Sequence, residues 1–177
     1  TANKYCKILK RIVTLALDNK WMEINPFQGL RFQAKATNRQ FLTEKELSTV
    51  MNKTFTLERL NVVRDIFVFC ALTGLSFSDV ESLKPEHVSV DDDGNYWIHK
   101  ARQKTKNVCS IPYLESARAI AEKYADHPLC EKRGVLLPVI SNQRMNSYLG
   151  EIAGICGINK PLTMHIARHS FACLALA

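Results

Sequence analysis

The chain has 177 residues, 46% hydrophobic and 23% charged, with a formal net charge of +7. This composition suits one globular domain, or one domain plus part of a second, and argues against disorder, a fibre or a membrane span. Six cysteines at 6, 70, 109, 130, 156 and 173 form no CxxC pair, so neither a zinc ribbon nor a disulfide framework is expected, and reduced thiols in a cytoplasmic protein are.

The charge is concentrated at one end. Residues 1–40 carry eight Lys and Arg side chains against Asp18 and Glu23, and the other 137 residues are nearly balanced. Such a basic leading segment fits either a polyanion partner or a solvated lysine-rich helix face. The opening residues show no secretory pattern.

Residues 3–20 carry Tyr5, Ile8, Leu9, Ile12, Val13, Ala16 and Leu17 at helical spacing. Asn25-Pro26 closes that unit, because the proline ring disfavours helical geometry at Asn25. Residues 28–38 are polar and basic and read as a linker. Thr43 and Glu46 match a capping box, which predicts a helix over 43–53. Residues 57–73 form the most apolar helix candidate and are expected at the centre, with Thr73-Gly74 as its stop. Ser76 to Asp79 offers caps for a short helix. His87–Val90, Tyr96–His99 and Val108–Ile111 read as strands, with Asp91–Gly94 as the first turn. Helices near 113–125 and 142–155 follow, and a last one starts near Thr163. The expected fold class is mainly α with a small antiparallel β-sheet (α+β).

Three segments carry candidate chemistry. In the last helix, His165, Arg168 and His169 stand at i, i+3 and i+4 and share a face, opposite Met164, Ala167, Phe171 and Leu174. An Arg fork can hold two phosphate oxygens, and imidazole can hydrogen-bond or move a proton. A plain solvent-facing stripe is the competing reading. The His165/His169 spacing also occurs in HExxH zinc sites, but residue 166 is Ile and no third ligand is evident, so no metal or cofactor is expected. Lys100, Arg102, Lys104 and Lys106 form an acid-free basic run between two strands, as at a hairpin tip beside a phosphate, or simply at a soluble turn. The third segment, Thr73-Gly74-Leu75-Ser76-Phe77-Ser78-Asp79-Val80, in isolation is a helix end and a new cap.

In this order the three segments resemble the tyrosine recombinases (phage-type integrases). Their catalytic domain carries a T-G-L-R-x-x-E/D-L motif, then a Lys on a β-hairpin, then H-x-x-R. The stretch from Leu162 to Ala172 is close to the family's wording. Arg39-Gln40-Phe41-Leu42-Thr43 and Asn25-Pro26-Phe27 are also similar.

The resemblance implies that residues 1–27 are the end of a helical core-binding (SAM-like) domain, with 28–38 a linker and 39–177 an incomplete catalytic domain. It implies site-specific DNA recombination or integration, as in mobile-element integrases, by strand cleavage and rejoining through a 3′-phosphotyrosyl link. Lys104, His165 and Arg168 would be catalytic, and Asp79 and His169 supporting. Lys4, Lys7, Lys10, Arg11, Arg31, Lys35, Arg39, Lys100, Arg102 and Lys106 would contact DNA. The partner would be double-stranded DNA, on which the full-length protein would form a tetramer, with the fragment itself monomeric and not membrane-bound.

Two departures stand out. Ser76 occupies the family's first Arg position, so another guanidinium, Arg64 or Arg102, is expected to approach the phosphate. The five tyrosines, Tyr5, Tyr96, Tyr113, Tyr124 and Tyr148, all precede H-x-x-R, so the nucleophile is expected to be missing. The chain opens without Met and ends within an uncapped apolar stretch, the pattern expected of a fragment, and without the nucleophile that fragment is expected to be inactive by itself. A non-catalytic DNA-binding relative of integrases is the alternative, and an unrelated helical protein with a phosphate site is a weaker one.

Overall fold

The computed structural model describes residues 2–30, 40–103 and 107–174. Linker residues 31–38 and the candidates Arg31, Lys35, Arg39, Lys104 and Lys106 lie outside the described residues. The chain divides into two units, 1–38 and 39–177.

The first unit is built on α1 (Ala2–Asp18). The helix stops short of the expected Lys20, which takes a left-handed φ of 58°. Asn25 then closes an Asx turn, its Oδ1 accepting the Phe27 N–H at 2.9 Å. Tyr5, Ile8, Leu9, Ile12 and Leu15 are exposed, as are Lys4, Lys7, Lys10 and Arg11.

The second unit follows the predicted order of elements, with three adjustments. Its helices are α2 (Glu44–Asn52), α3 (Glu58–Thr73) and α4 (Phe77–Glu81), then α5 (Glu115–Glu122), α6 (Pro128–Arg133), α7 (Asn142–Ile155) and α8 (Met164–Leu174). Strands β1 (Val88–Val90), β2 (Tyr96–Ala101) and β3 (Val108–Pro112) form one antiparallel sheet in that order. The first adjustment is α6, too short for periodicity to reveal. It is bounded by Pro128 at its start and Gly134 at φ 62° at its end. The second is His87, expected in a strand. It sits in a 3-10 turn, where its Nδ1 accepts the Lys84 N–H at 2.9 Å. The third is β2, which runs two residues beyond its predicted end at His99.

The capping box forms as the sequence predicts. Thr43 Oγ1 accepts the Glu46 N–H, and Glu46 Oε2 accepts the Thr43 N–H at 2.7 Å. Lys160 reinforces it, donating to Glu46 at 2.6 Å and to the Phe41 carbonyl at 3.0 Å. That hydrogen bond, ahead of any other influence, holds the Glu46 carboxyl below its ordinary range.

Helix α3 is the scaffold. From Leu60 to Thr73 it is buried on nearly every side, and it packs against α2, α5, α7 and α8. Phe67, Phe69 and Ile66 are fully buried with Leu149, Ile152 and Ile98. The burial of Asp65 is compensated by three donors: Arg64 Nε at 2.5 Å, Tyr124 Oη at 2.7 Å and Lys123 Nζ at 2.8 Å.

Candidate phosphate-binding site

The site grows from the docking of α8 on the C-terminal end of α3. Gly74 caps α3 at φ 66°, a left-handed conformation that glycine adopts freely. A Cβ here would also lie 2.4 Å from the Phe171 ring. The absent side chain lets α8 approach, and Arg168 Nη1 donates to the Gly74 carbonyl at 2.8 Å. Ser170, fully buried, accepts the Leu42 N–H at 2.8 Å and donates to the Ile166 carbonyl at 2.9 Å. The entrance segment is thereby tied to α8.

The N-terminus of α8 is satisfied by neighbours. Asn146 Oδ1 accepts the Met164 N–H at 3.0 Å, and Thr163 Oγ1 accepts that of Ile166 at 3.4 Å. His165 projects outward, whereas Met164 and Ala167 are buried. The His165 and His169 rings meet edge to face, with Nε2 atoms 2.8 Å apart.

An open cleft of about 380 Å³ results. Ser76 and Ser78 enter it from α4 and its cap, Asn142 and Asn146 from α7, and His165 and Arg168 from α8. Arg168 also lines a second cavity of about 450 Å³, with Arg102 and Cys109. Arg168 thus forms a wall of both. Arg102 Nε donates to Cys109 Sγ at 2.7 Å, which holds its guanidinium against β3.

Asp79 sits behind the cleft rather than in it. It is 2% exposed, accepts the Ser76 hydroxyl at 2.7 Å, and accepts the Gln103 N–H at 3.0 Å. One carboxylate therefore joins the start of α4 to the β2–β3 hairpin. The hairpin is closed by Arg102 N–H donating to the Asn107 carbonyl at 2.9 Å. Gln103 and Asn107, the residues flanking the hairpin tip, are thus both anchored.

Of the candidate residues, Ser76, His165 and Arg168 share the cleft, His169 adjoins His165, and Arg102 and Arg168 both line the second cavity. Lys100 does not join them. It is 8% exposed, and its ammonium donates to the Ser82 carbonyl at 2.7 Å and lies 3.3 Å from His87 Nε2. Burial lowers its proton affinity, and it braces β2 instead of facing outward. Arg64 does not join them either. Its guanidinium binds Asp65 and the Met51 and Lys53 carbonyls, at the end of α2.

None of the second unit's tyrosines lines the cleft. Tyr113 and Tyr124 are buried, and desolvation raises both phenols, Tyr113 to about 12. Tyr96 and Tyr148 lie under the Arg118 and Arg59 guanidiniums.

Sequence reasoning missed Asn142 and Asn146. Their i, i+4 spacing near the start of α7 was the available signal, since it puts both on one helix face.

No family model matches the chain, and no curated protein matches it in sequence. Solved structures do match its fold. A lambda integrase (residues 75–356) dimer bound to a COC′ core site superposes with a TM-score of 0.67 at 14% identity, covering 94% of this chain and 63% of that one. The Tn1549 transposon integrase in complex with a circular intermediate DNA gives 0.67 at 15% identity, covering 98% and 66%. The XerH site-specific recombinase bound to difH substrate gives 0.58 at 16% identity, covering 76% and 42%. The chain thus spans about two fifths to two thirds of the length of these solved chains. Its mainly helical body with one three-stranded antiparallel sheet is the fold of the tyrosine recombinases and integrases.

Proposed function

We propose that the chain is part of a site-specific DNA recombinase that breaks and rejoins strands through a 3′-phosphotyrosyl intermediate. The observation that carries this reading is the shared cleft of His165 and Arg168, with Arg102 of the hairpin lining the adjoining cavity beside Arg168. A phosphoryl-transfer transition state accumulates negative charge on its non-bridging oxygens. Preorganised cations stabilise that charge more than they stabilise the ground state. In this reading Arg168 holds two of those oxygens, and its bond to the Gly74 carbonyl fixes its direction. His165 hydrogen-bonds the phosphate.

Lys104 protonates the departing 5′-oxygen. Asp79 acts through the backbone, since it fixes Gln103 immediately before Lys104. Ser76 cannot replace a guanidinium; Arg102, which lines the adjoining cavity with Arg168, would supply the second cation by leaving Cys109. Residues 1–27 belong to a core-binding domain and 28–38 to a linker. Lys4, Lys7, Lys10 and Arg11 are exposed on α1 and contact the DNA backbone. The full-length protein works as a tetramer on DNA in the cytoplasm.

This 177-residue chain does not cleave DNA by itself, because its tyrosines all precede His165, and Tyr96, Tyr113, Tyr124 and Tyr148 are engaged away from the cleft. That same observation, with Ser76 in place of Arg, favours the second reading, a DNA-binding relative without catalysis.

The test is duplex binding across a salt series. Affinity should fall with a log–log slope of roughly −0.9 per neutralised phosphate. Salt-independent affinity, or none, contradicts both readings. Covalent capture of a nicked suicide substrate by the chain alone contradicts its proposed inactivity. The two readings separate in a longer protein that supplies a tyrosine after residue 177. Cleavage that Arg168→Ala abolishes supports the enzyme, and its absence supports the binding module.

A further inference from the structure

The sequence excludes a catalytic zinc of the HExxH type, yet the geometry of the histidine pair makes a different use of metal available. We propose that His165 and His169 form a two-ligand site for a borderline divalent transition-metal ion of the Ni²⁺ and Zn²⁺ class, each imidazole binding through Nε2. The two Nε2 atoms face one another at 2.8 Å, with the ring centroids 4.3 Å apart and the planes at 82°. Both residues belong to one helix, one turn apart, the spacing at which two histidines on a helix face share a zinc ion.

Metal–nitrogen bonds of about 2.0–2.1 Å at a tetrahedral angle set the two nitrogens roughly 3.3 Å apart. The rings therefore need to part by only about half an ångström, which small side-chain rotations supply. Helix α8 is held at both turns, by Asn146 at Met164 and by the Gly74 carbonyl at Arg168. The two imidazoles thus hang from a fixed backbone. His165 is exposed, so the ion has access from solvent.

Proton bookkeeping is simple. The N–H···N contact means that one imidazole carries its proton on Nε2 while the other accepts. On metal binding both Nε2 lone pairs are needed, so that proton moves to Nδ1 of its own ring or leaves to water. Imidazole ligands suit Ni²⁺ and Zn²⁺. Among the described residues no third His, Cys, Asp or Glu completes the shell, so the other positions go to water or an anion. Such an ion is exchangeable, not a resident cofactor. Its consequence rests on the recombinase reading: it takes the His165 lone pair at the edge of the cleft and withdraws that side chain from the phosphate.

The test titrates Ni²⁺ alone into the 177-residue chain without DNA and follows the imidazole NMR signals of all five histidines. Paramagnetic broadening of His165 and His169 together, ahead of His87, His99 and His127, is expected. In His169→Gln, the Ni²⁺ needed to broaden His165 should rise beyond the roughly 10-fold to 100-fold that losing an outer-shell partner costs. Unshifted His87, His99 and His127 signals report that the variant is folded. If it is not, His165→Gln read at His169 gives the reciprocal measurement. Earlier broadening of His99, or a His165 response unchanged by His169→Gln together with a His169 response unchanged by His165→Gln, overturns the site. Duplex binding is measured separately, so its failure removes the consequence and leaves the metal site standing.

Discussion

Helices α3 and α8 pack against each other, yet they divide the labour of the second unit. α3 is buried on nearly every side, and its one internal carboxylate, Asp65, is consumed by Arg64, Lys123 and Tyr124. α8 buries only one stripe and turns His165 outward. A helix closed on all sides can only support. A helix with one anchored face and one open face can hold side chains in fixed directions towards a ligand. The two meet at Gly74, where the stop of one becomes the docking point of the other.

The contrast breaks most severely at α3. Phe67→Ala should cost about 3–5 kcal/mol, because a fully buried ring leaves a cavity. Phe171→Ala on α8 should cost clearly less, since that ring is half-buried. Chemical denaturation of both variants makes the comparison, and equal losses would erase the distinction between the two helices.

At the junction, Gly74→Ala should cost at least about 1–2 kcal/mol from the left-handed backbone alone. Displacement of Phe171 adds to that, since its ring lies 2.4 Å from the new Cβ. The double variant with Phe171→Ala should lose less than the sum of the two single variants. Strict additivity would show that the close approach carries no energy.

On the open face the effect should move from stability to function. Arg168→Ala removes one hydrogen bond to a carbonyl and should cost about 0.5–1.5 kcal/mol of stability. In a duplex-binding series across salt it should also reduce the log–log slope by roughly one. A stability loss as large as that of Phe67→Ala would mean that α8 is scaffold as well.

The smallest effect concerns pH and the brace beneath β2. Burial first, then the Lys100 ammonium, lowers the proton affinity of His87. The unfolded chain therefore binds this proton more readily than the folded one. The His87 contribution is complete above the ordinary imidazole range and is lost as pH falls through about 6.5. His87→Gln, which keeps an acceptor for the Lys84 N–H, should flatten the decline in stability between about pH 7 and pH 5. An unchanged profile would show that folding does not lower the proton affinity of His87.

Local features were legible because their causes are local. The Thr43/Glu46 box, the stop at Gly74 and the apolar run of α3 each depend on residues within a few positions of one another. The shared face of His165 and Arg168 follows from helical period alone. The hairpin shows the limit. Residues 100–106 read as one basic run, but the two-residue alternation of a strand puts Lys100 on the same side as buried Ile98. That signal was present in the sequence. The Ser82 carbonyl that receives the Lys100 ammonium was not, because it lies on another segment.

By itself, then, the sequence determined most of the helices and strands, the short α6 apart, and which face of α8 is polar. Propensity, capping and periodicity act over one or two turns of chain, so they can be read along it. Tertiary structure alone decided that Arg102 rather than Arg64 lines a cavity with Arg168, and that Asp79 fixes the hairpin from behind the cleft. Each of those outcomes depends on how separate elements pack or how side chains turn within that packing, and no pattern along the chain encodes it.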